Sequence, residues 1–451
     1  MLKLTSSKAI AFIPTLSVFN TIAIVVGLVV GAGIFETPAI VAANASSAEM
    51  VIFAWIVGGA ISLIGALCYA ELATTYPNPG GTYCYLKQGF SGTIGFLFGW
   101  SRMSIIQTGS IALLAFVFGD YISQLWRLGT YSSAIYAAIA IIFLTGLNWL
   151  GVSQSKNTQT LLAFAQIAGL IVVSIVSLII SFSSPTAASI ATANNTENIA
   201  TSSSSGLMMV FVLLTYGGWN EAAYVSAEVR NGRRNIVRAL IWSIGIITAL
   251  YLLVNWALIR GLGLSRMATS QAVVADLMRT SIGEAGAVAI SCLVAVATIC
   301  SLNATIFTGA RANYALGRDF SLFAFLGRGH KSSPTNALIV QGAIALLLVL
   351  IGSFTRQGFE TIVNYTAPAF WFFFLLSGIS LFLLRRRDPQ IYRPFEVPFY
   401  PLTPLIFCGI CAYMLRSSIA YTGWGGLLGI MVLLLGLPLL WMSKKSSSSH
   451  P

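Results

Sequence analysis

The sequence predicts an all-α polytopic membrane protein with about twelve transmembrane helices. Three observations predict it. The chain is 57% hydrophobic and only 8% charged over 451 residues, too little charge to cover a water-soluble protein of that length. Apolar runs longer than the ~18 residues that mark a spanning helix recur from end to end. The few charges fall in the short stretches between those runs, as topology signals do. The net charge of +12 therefore reads as an orientation signal. No basic stripe with interleaved aromatics occurs, so a nucleic-acid partner is set aside. In water such a length suggests two or three domains; in a bilayer it fits one bundle.

Taken in order, the spans fall near residues 15–43, 49–73, 92–126, 132–150, 158–182, 206–228, 237–261, 284–312, 336–353, 361–384, 399–418 and 424–442. The first run follows Lys3 and Lys8 and continues into a glycine-rich span without a small-residue cleavage site. It reads as a first helix and not as a removed signal peptide. The uncharged Ser/Thr/Asn stretch 183–205 is the main low-complexity loop. Eighteen of the 25 Lys and Arg fall on one set of alternating segments and six on the other, with Arg102 inside a helix. The excess predicts a multi-pass protein with both termini in the cytoplasm. Cys408 and Cys411 form a C-x-x-C without a second pair, inside a predicted helix, and His330 and His450 are too few for a metal site. No metal, cofactor or catalytic residue is predicted.

Two spans are weakened in their middles. The first, "VVGLVVGAGIFETPAIVAANASS", carries Gly27, Gly31 and Gly33, then Glu36 and Pro38. The sixth, "LMMVFVLLTYGGWNEAAYVSAEVRNGRRN", carries Gly217 and Gly218, then Trp219 and Asn220. Gly27-x-x-x-Gly31 taken alone also fits helix packing. Non-helical backbone at membrane depth is tolerated only where it is buried in protein or lines a cavity. Interruptions at matching places in two five-helix halves point to a binding site built by inverted repeats. A break leaves N–H groups on one side, which attract a carboxylate, and C=O groups on the other, which attract an ammonium. Two facing breaks can hold a zwitterion with backbone alone.

At these residues the sequence resembles the amino acid–polyamine–organocation superfamily, most closely its light-subunit-type amino acid exchangers. The matching stretches are "VVGAGIFETP", "YAELATTYPNPGGTYCYLKQGFSGTIGFLFGW", "LTYGGWNEAAYVSAEVRNGRRNIVRAL", "SLNATIFTGARANYALGRD" and "LLRRRDPQIYRPFEVPFYPLTPLIF". The resemblance implies a leucine-transporter-like, five-plus-five inverted-repeat core over residues 1–390, with helices 1–5 at about 15–182 and 6–10 at about 206–384. Two further helices and a cytoplasmic tail fill 391–451. It implies amino acid transport across the cell membrane. Carried over, Ala32 and Gly33 offer N–H groups to the substrate carboxylate, the carbonyls of Val29, Leu214 and Gly217 receive its ammonium, and Trp219 borders its side chain. The stretch 77–90 forms a cytoplasmic hairpin at the inner gate.

The sequence departs from the family pattern at two places. Gln166 stands where many sodium-independent relatives carry a lysine, and a neutral amide does not replace a cation. Opposite it, Ser301 and Thr298 offer oxygens, so a sodium ion is not excluded. The segment 127–131 has no cysteine, so a disulfide-linked heavy chain is not supported. Arg102 and Glu221 are ionisable groups within spans, and such groups are functional candidates by default. They are candidates to pair with each other, and Glu221 is also a candidate proton carrier. Glu71 and Glu228 read as inner-gate ion pairs or capping charges, and Glu36 as an outer vestibule charge or a helix N-terminal acid. Gln107, Thr108, Asn303 and Trp371 are side-chain pocket candidates. The reading is a secondary carrier of neutral amino acids, coupled by proton symport, exchange or sodium symport. A polyamine or organic-cation carrier and a non-transporting amino acid sensor are the alternatives.

Overall fold

A computed structural model gives the fold. It describes residues 17–31, 33–77, 81–150, 164, 167–176, 178–179, 205–223, 229, 232–327, 334–354, 358–421 and 423–447. Among the described residues the regular structure is helical, and eight helices are long and apolar enough to cross a membrane. Large apolar side chains such as Phe53, Ile142, Phe143, Trp242 and Leu347 project from the outside of the bundle. In water such a coat would be an aggregation surface; against lipid it is the expected exterior.

The first predicted span is two helices, α1 (Val18–Val29) and α2 (Gly33–Asn44). The ladder closes on Val30, whose N–H reaches Val26 O at 2.8 Å, and Gly31 then turns tightly onto Val29 O at 2.8 Å. Helix α3 (Ala48–Thr75) starts at Ser47, whose hydroxyl accepts the N–H of Met50. This cap satisfies one of the donors that a helix start leaves open. The hairpin predicted over 77–90 contains a short helix, α4 (Thr82–Gly89).

The third predicted span is not one regular helix. Between α5 (Gly92–Ser101) and α6 (Gln107–Leu125) lies a π-helical turn, Arg102–Ile106. The predicted span 92–126 is found as one run, Gly92–Leu125, with this turn inside it; hydropathy is blind to one extra residue in a turn. Helix α7 (Ser132–Trp149) returns across the bundle, and of the predicted span 158–182 the helix α8 (Ile167–Val176) is described.

The sixth predicted span, 206–228, is interrupted where its mid-span glycines predict. Helix α9 (Ser205–Thr215) stops, the chain turns, and a 3-10 turn follows at Trp219–Ala223. Gly218 makes the turn with φ of 112°, a left-handed conformation open to glycine. Beyond it run α10 (Gly232–Leu262), two short helices α11 (Leu264–Thr269) and α12 (Val273–Ile282), and the long α13 (Glu284–Asp319). The short pair was not anticipated, being too brief to register as a span. Then come α14 (Thr335–Phe354), α15 (Gly358–Arg387), α16 (Leu402–Tyr421) and α17 (Gly423–Ser447). Helix α3 packs on α10, α6 on α13 and α7, and α15 on α16. The interrupted helices are enclosed between these neighbours: α1 lies on α10, and α2 lies on α9 and α11.

Candidate functional site

The two helix breaks face each other. A β-carbon placed on Gly33 would lie 2.9 Å from Thr215 Cγ2 and 3.2 Å from its Cα. Backbone therefore meets backbone there, and only glycine permits the approach. Thr215 Oγ1 donates to Thr37 Oγ1 at 2.7 Å, tying α9 to α2. Across the other side stands Tyr251 of α10, fully buried, whose hydroxyl lies 3.0 Å from Val29 O and 3.1 Å from Thr215 O. One phenol thus bridges the carbonyl ends of both interrupted helices. Nothing in the apolar run around Tyr251 distinguishes it in the sequence.

A cavity of about 310 Å³ opens beside the breaks. Val29, Gly31 and Gly33 line it from the first break, and Leu214, Thr215, Gly217 and Gly218 from the second. The N-terminus of α2 begins at Gly33, one of the lining residues, and the first N–H groups of a helix have no partner within it. The carbonyls are partly engaged. Val29 O accepts from both Gly31 N–H and Tyr251, while Leu214 O accepts from Gly217 N–H at 2.9 Å. Thr305, Thr308 and Ser110 add hydroxyls, and Phe370, Phe373 and Phe374 an aromatic side.

Among the predicted pocket residues, Gln107 lines the cavity and donates to Thr305 O at 2.9 Å. Trp219 is not among the lining residues; it is buried in an aromatic cluster, 5.3 Å from Tyr69 and 5.4 Å from Phe374, both of which line the cavity. Asn303 is held by Asn148 at 2.6 Å, and Trp371 packs on Phe370 and Phe374; neither is among the cavity-lining residues. Thr108 is fully buried and also stands outside the lining. Polar residues in helices more often bond a neighbouring helix than a ligand. Thr298 donates to Val294 O within its own helix, and Ser301 O accepts from Thr305. Ala32, Gln166 and Glu228 lie outside the described residues.

Glu221 and Arg102 both line the cavity and form an ion pair of 3.4 Å. The π turn makes this placement possible. Residues five apart on an α-helix point about 140° apart. Here the N–H of Gln107 bonds Arg102 O across the wider turn, which brings residues five apart onto one face. Arg102 and Gln107 therefore both reach the cavity.

Each end of the bundle carries its own charge cluster. At the C-terminal end of α3, Glu71 is 1% exposed and accepts two 2.7 Å bonds from Arg385 and one from Val397 N–H. Arg393 adds a 3.6 Å contact, so the acid clamps α3 to α15 and the chain beyond it. Nearby, Tyr76 donates to Asp388 at 3.0 Å; burial and that bond push its hydroxyl up to about 12, so it remains a donor. At the opposite end by chain direction, Arg279 of α12 pairs with Asp276 and Glu284 and reaches Gln124 of α6 at 3.4 Å. Glu36 is in the first turn of α2 with Oε1 buried, away from the cavity lining.

A bundle whose cavity is walled by two facing helix breaks, with a charge cluster at either end, has the architecture of a membrane carrier. The chain belongs to the amino acid permease family, which it matches over residues 16–440. It is similar to the b(0,+)-type amino acid transporter 1 of Homo sapiens, 28% identical over 437 residues covering 94% of this chain and 86% of that protein. It is also similar to the serine/threonine exchanger SteT of Bacillus subtilis, 28% identical over 431 residues, 94% of this chain and 96% of that protein. The human cystine/glutamate transporter matches at 27% over 432 residues, 93% and 83% of the two chains. The chain is accordingly a multi-pass membrane permease and not an enzyme.

Proposed function

We propose that the protein carries amino acids with uncharged side chains across the cell membrane by alternating access. The observation that supports this most is the contact between the two breaks, with Gly33 against Thr215 and Tyr251 bonded to both. It sets the N–H end of one helix beside carbonyl ends of two, which matches the two charges of an α-amino acid. The substrate carboxylate rests on the N–H groups of Ala32 and Gly33. Its ammonium is met by the carbonyls of Leu214 and Gly217, and by Val29 O when the Tyr251 hydroxyl gives way. The side chain extends into the cavity toward Gln107 and the phenylalanines.

In this reading residues 1–390 form a five-plus-five inverted repeat, 391–451 add two helices, and both termini face the cytoplasm. Rocking of the repeat halves exposes the site to either side. The Glu71 and Arg279 clusters hold the inner and outer ends in turn. Exchange is the first mode to examine, since one relative is an exchanger; proton symport through Glu221 is the second.

The test is uptake of a panel of radiolabelled amino acids into proteoliposomes, with proton gradients, sodium gradients and internal amino acid varied separately. Saturable uptake stimulated by internal amino acid supports exchange. Binding without flux under every condition contradicts transport.

A further inference from the structure

We propose that the Arg102–Glu221 ion pair sets the charge class of the side chain that the cavity accepts; the proposal rests on the amino acid reading above. Among the described residues that line the cavity, these two are the only ones drawn from Asp, Glu, Lys, Arg and His. They lie on different interrupted segments, Arg102 on the π turn and Glu221 on the 3-10 turn that follows the second break. Their side chains are 19% and 35% exposed, open enough for a ligand to contend for either. At 3.4 Å each offsets the other's charge, so the described lining residues carry no net charge.

A lysine-like side chain entering this space must contend with Arg102 for Glu221 and weaken the pair. A glutamate-like side chain must contend with Glu221 for Arg102 and weaken it likewise. Breaking one member out of a partly desolvated pair is costly, and the cost falls on either sign of substrate. An uncharged side chain pays nothing, and one with a hydroxyl or amide gains a polar partner at that end. The pair thus discriminates by repulsion against wrong substrates as much as by attraction to right ones.

The test uses the full chain in proteoliposomes with four labelled amino acids: leucine, threonine, lysine and glutamate. The readout is the lysine-to-glutamate uptake ratio, with heat-stability shifts by the same four amino acids in detergent as a flux-independent measure. Arg102→Gln leaves Glu221 alone and should raise that ratio about tenfold. Glu221→Gln removes the carboxylate of the pair and should lower it by about the same factor. The double variant should return to the wild-type preference for leucine and threonine. Single variants that keep the wild-type ratio, or move it in the same direction, overturn the proposal. So does loss of binding of all four by the singles and the double while the protein stays folded, which would mark the pair as structural. A wild-type protein that binds none of the four fails the amino acid reading instead, so the two failures are distinguishable.

Discussion

Gly33 is packed directly against Thr215 of the other interrupted helix. The atom that would meet a new β-carbon there includes Thr215 Cα, which cannot rotate away. We predict that Gly33→Val forces the breaks apart at a cost of about 1–3 kcal/mol, lowers amino acid affinity at least about tenfold, and leaves membrane insertion intact. Ligand-induced heat-stability shifts and surface expression check this; unchanged affinity would count against the site. Tyr251 is the second single-residue test. Tyr251→Phe removes the donor shared by Val29 O and Thr215 O and is expected to cost about 1–2 kcal/mol of stability. It should also slow transport by loosening the fixed spacing between the breaks. A melting curve and an uptake assay on the same preparation separate the two effects. The sequence makes Gly33 legible, because a glycine run inside an apolar span has few uses. It does not make Tyr251 legible, because a tyrosine in an apolar run looks the same whether its hydroxyl bridges two helix ends or packs at random.

Among the elements, the breaks were readable and the finer helical irregularities were not. Glycines at 31, 33, 217 and 218 announce that the backbone leaves the helix, and it does so within a residue or two of them. The π turn at Arg102–Ile106 has no comparable sign, since its residues are ordinary helix formers in composition. Its consequence is still chemical: it turns Arg102 into the cavity. The pairing of Arg102 with Glu221 could be anticipated because unlike charges inside spans seek each other. Trp219, Asn303 and Trp371 were legible as interior residues, but only packing decides whether a buried ring faces a ligand or a neighbour. Here Trp219 faces Tyr69 and Phe374. The Glu71 clamp invites a test at this scale. Glu71→Ala leaves Arg385 and Val397 N–H without their acceptor and should cost about 3–5 kcal/mol. Thermal unfolding in detergent measures that. If the clamp is worth little, the melting temperature will not move, and its place in holding the end of α3 closed will have to be given up.

For the molecule as a whole, composition alone fixes the solvent: 8% charge cannot coat a protein of this size in water. Hydropathy places most spans within a few residues of the helices found. It misses α11 and α12, which together cover Leu264–Thr269 and Val273–Ile282, because pieces so short carry no spanning signal. The direction of the chain through the bilayer rests on the Lys and Arg excess. It predicts that tags at both termini are protected in sealed right-side-out membranes and become accessible once the membranes are opened; a tag reached from outside would reverse the assignment. The same orientation would make the Glu71 clamp the inner closure and the Arg279 cluster the outer one.

The central claim is that two helix ends meeting at Gly33 and Thr215 grip both charges of one amino acid. An experimental density map of the protein with a transported amino acid bound tests it most directly. The account predicts ligand density against the α2 N-terminus at Gly33, with its amino group at the Leu214 and Gly217 carbonyls. Density lodged elsewhere, or either interrupted helix running through without a break, would contradict it.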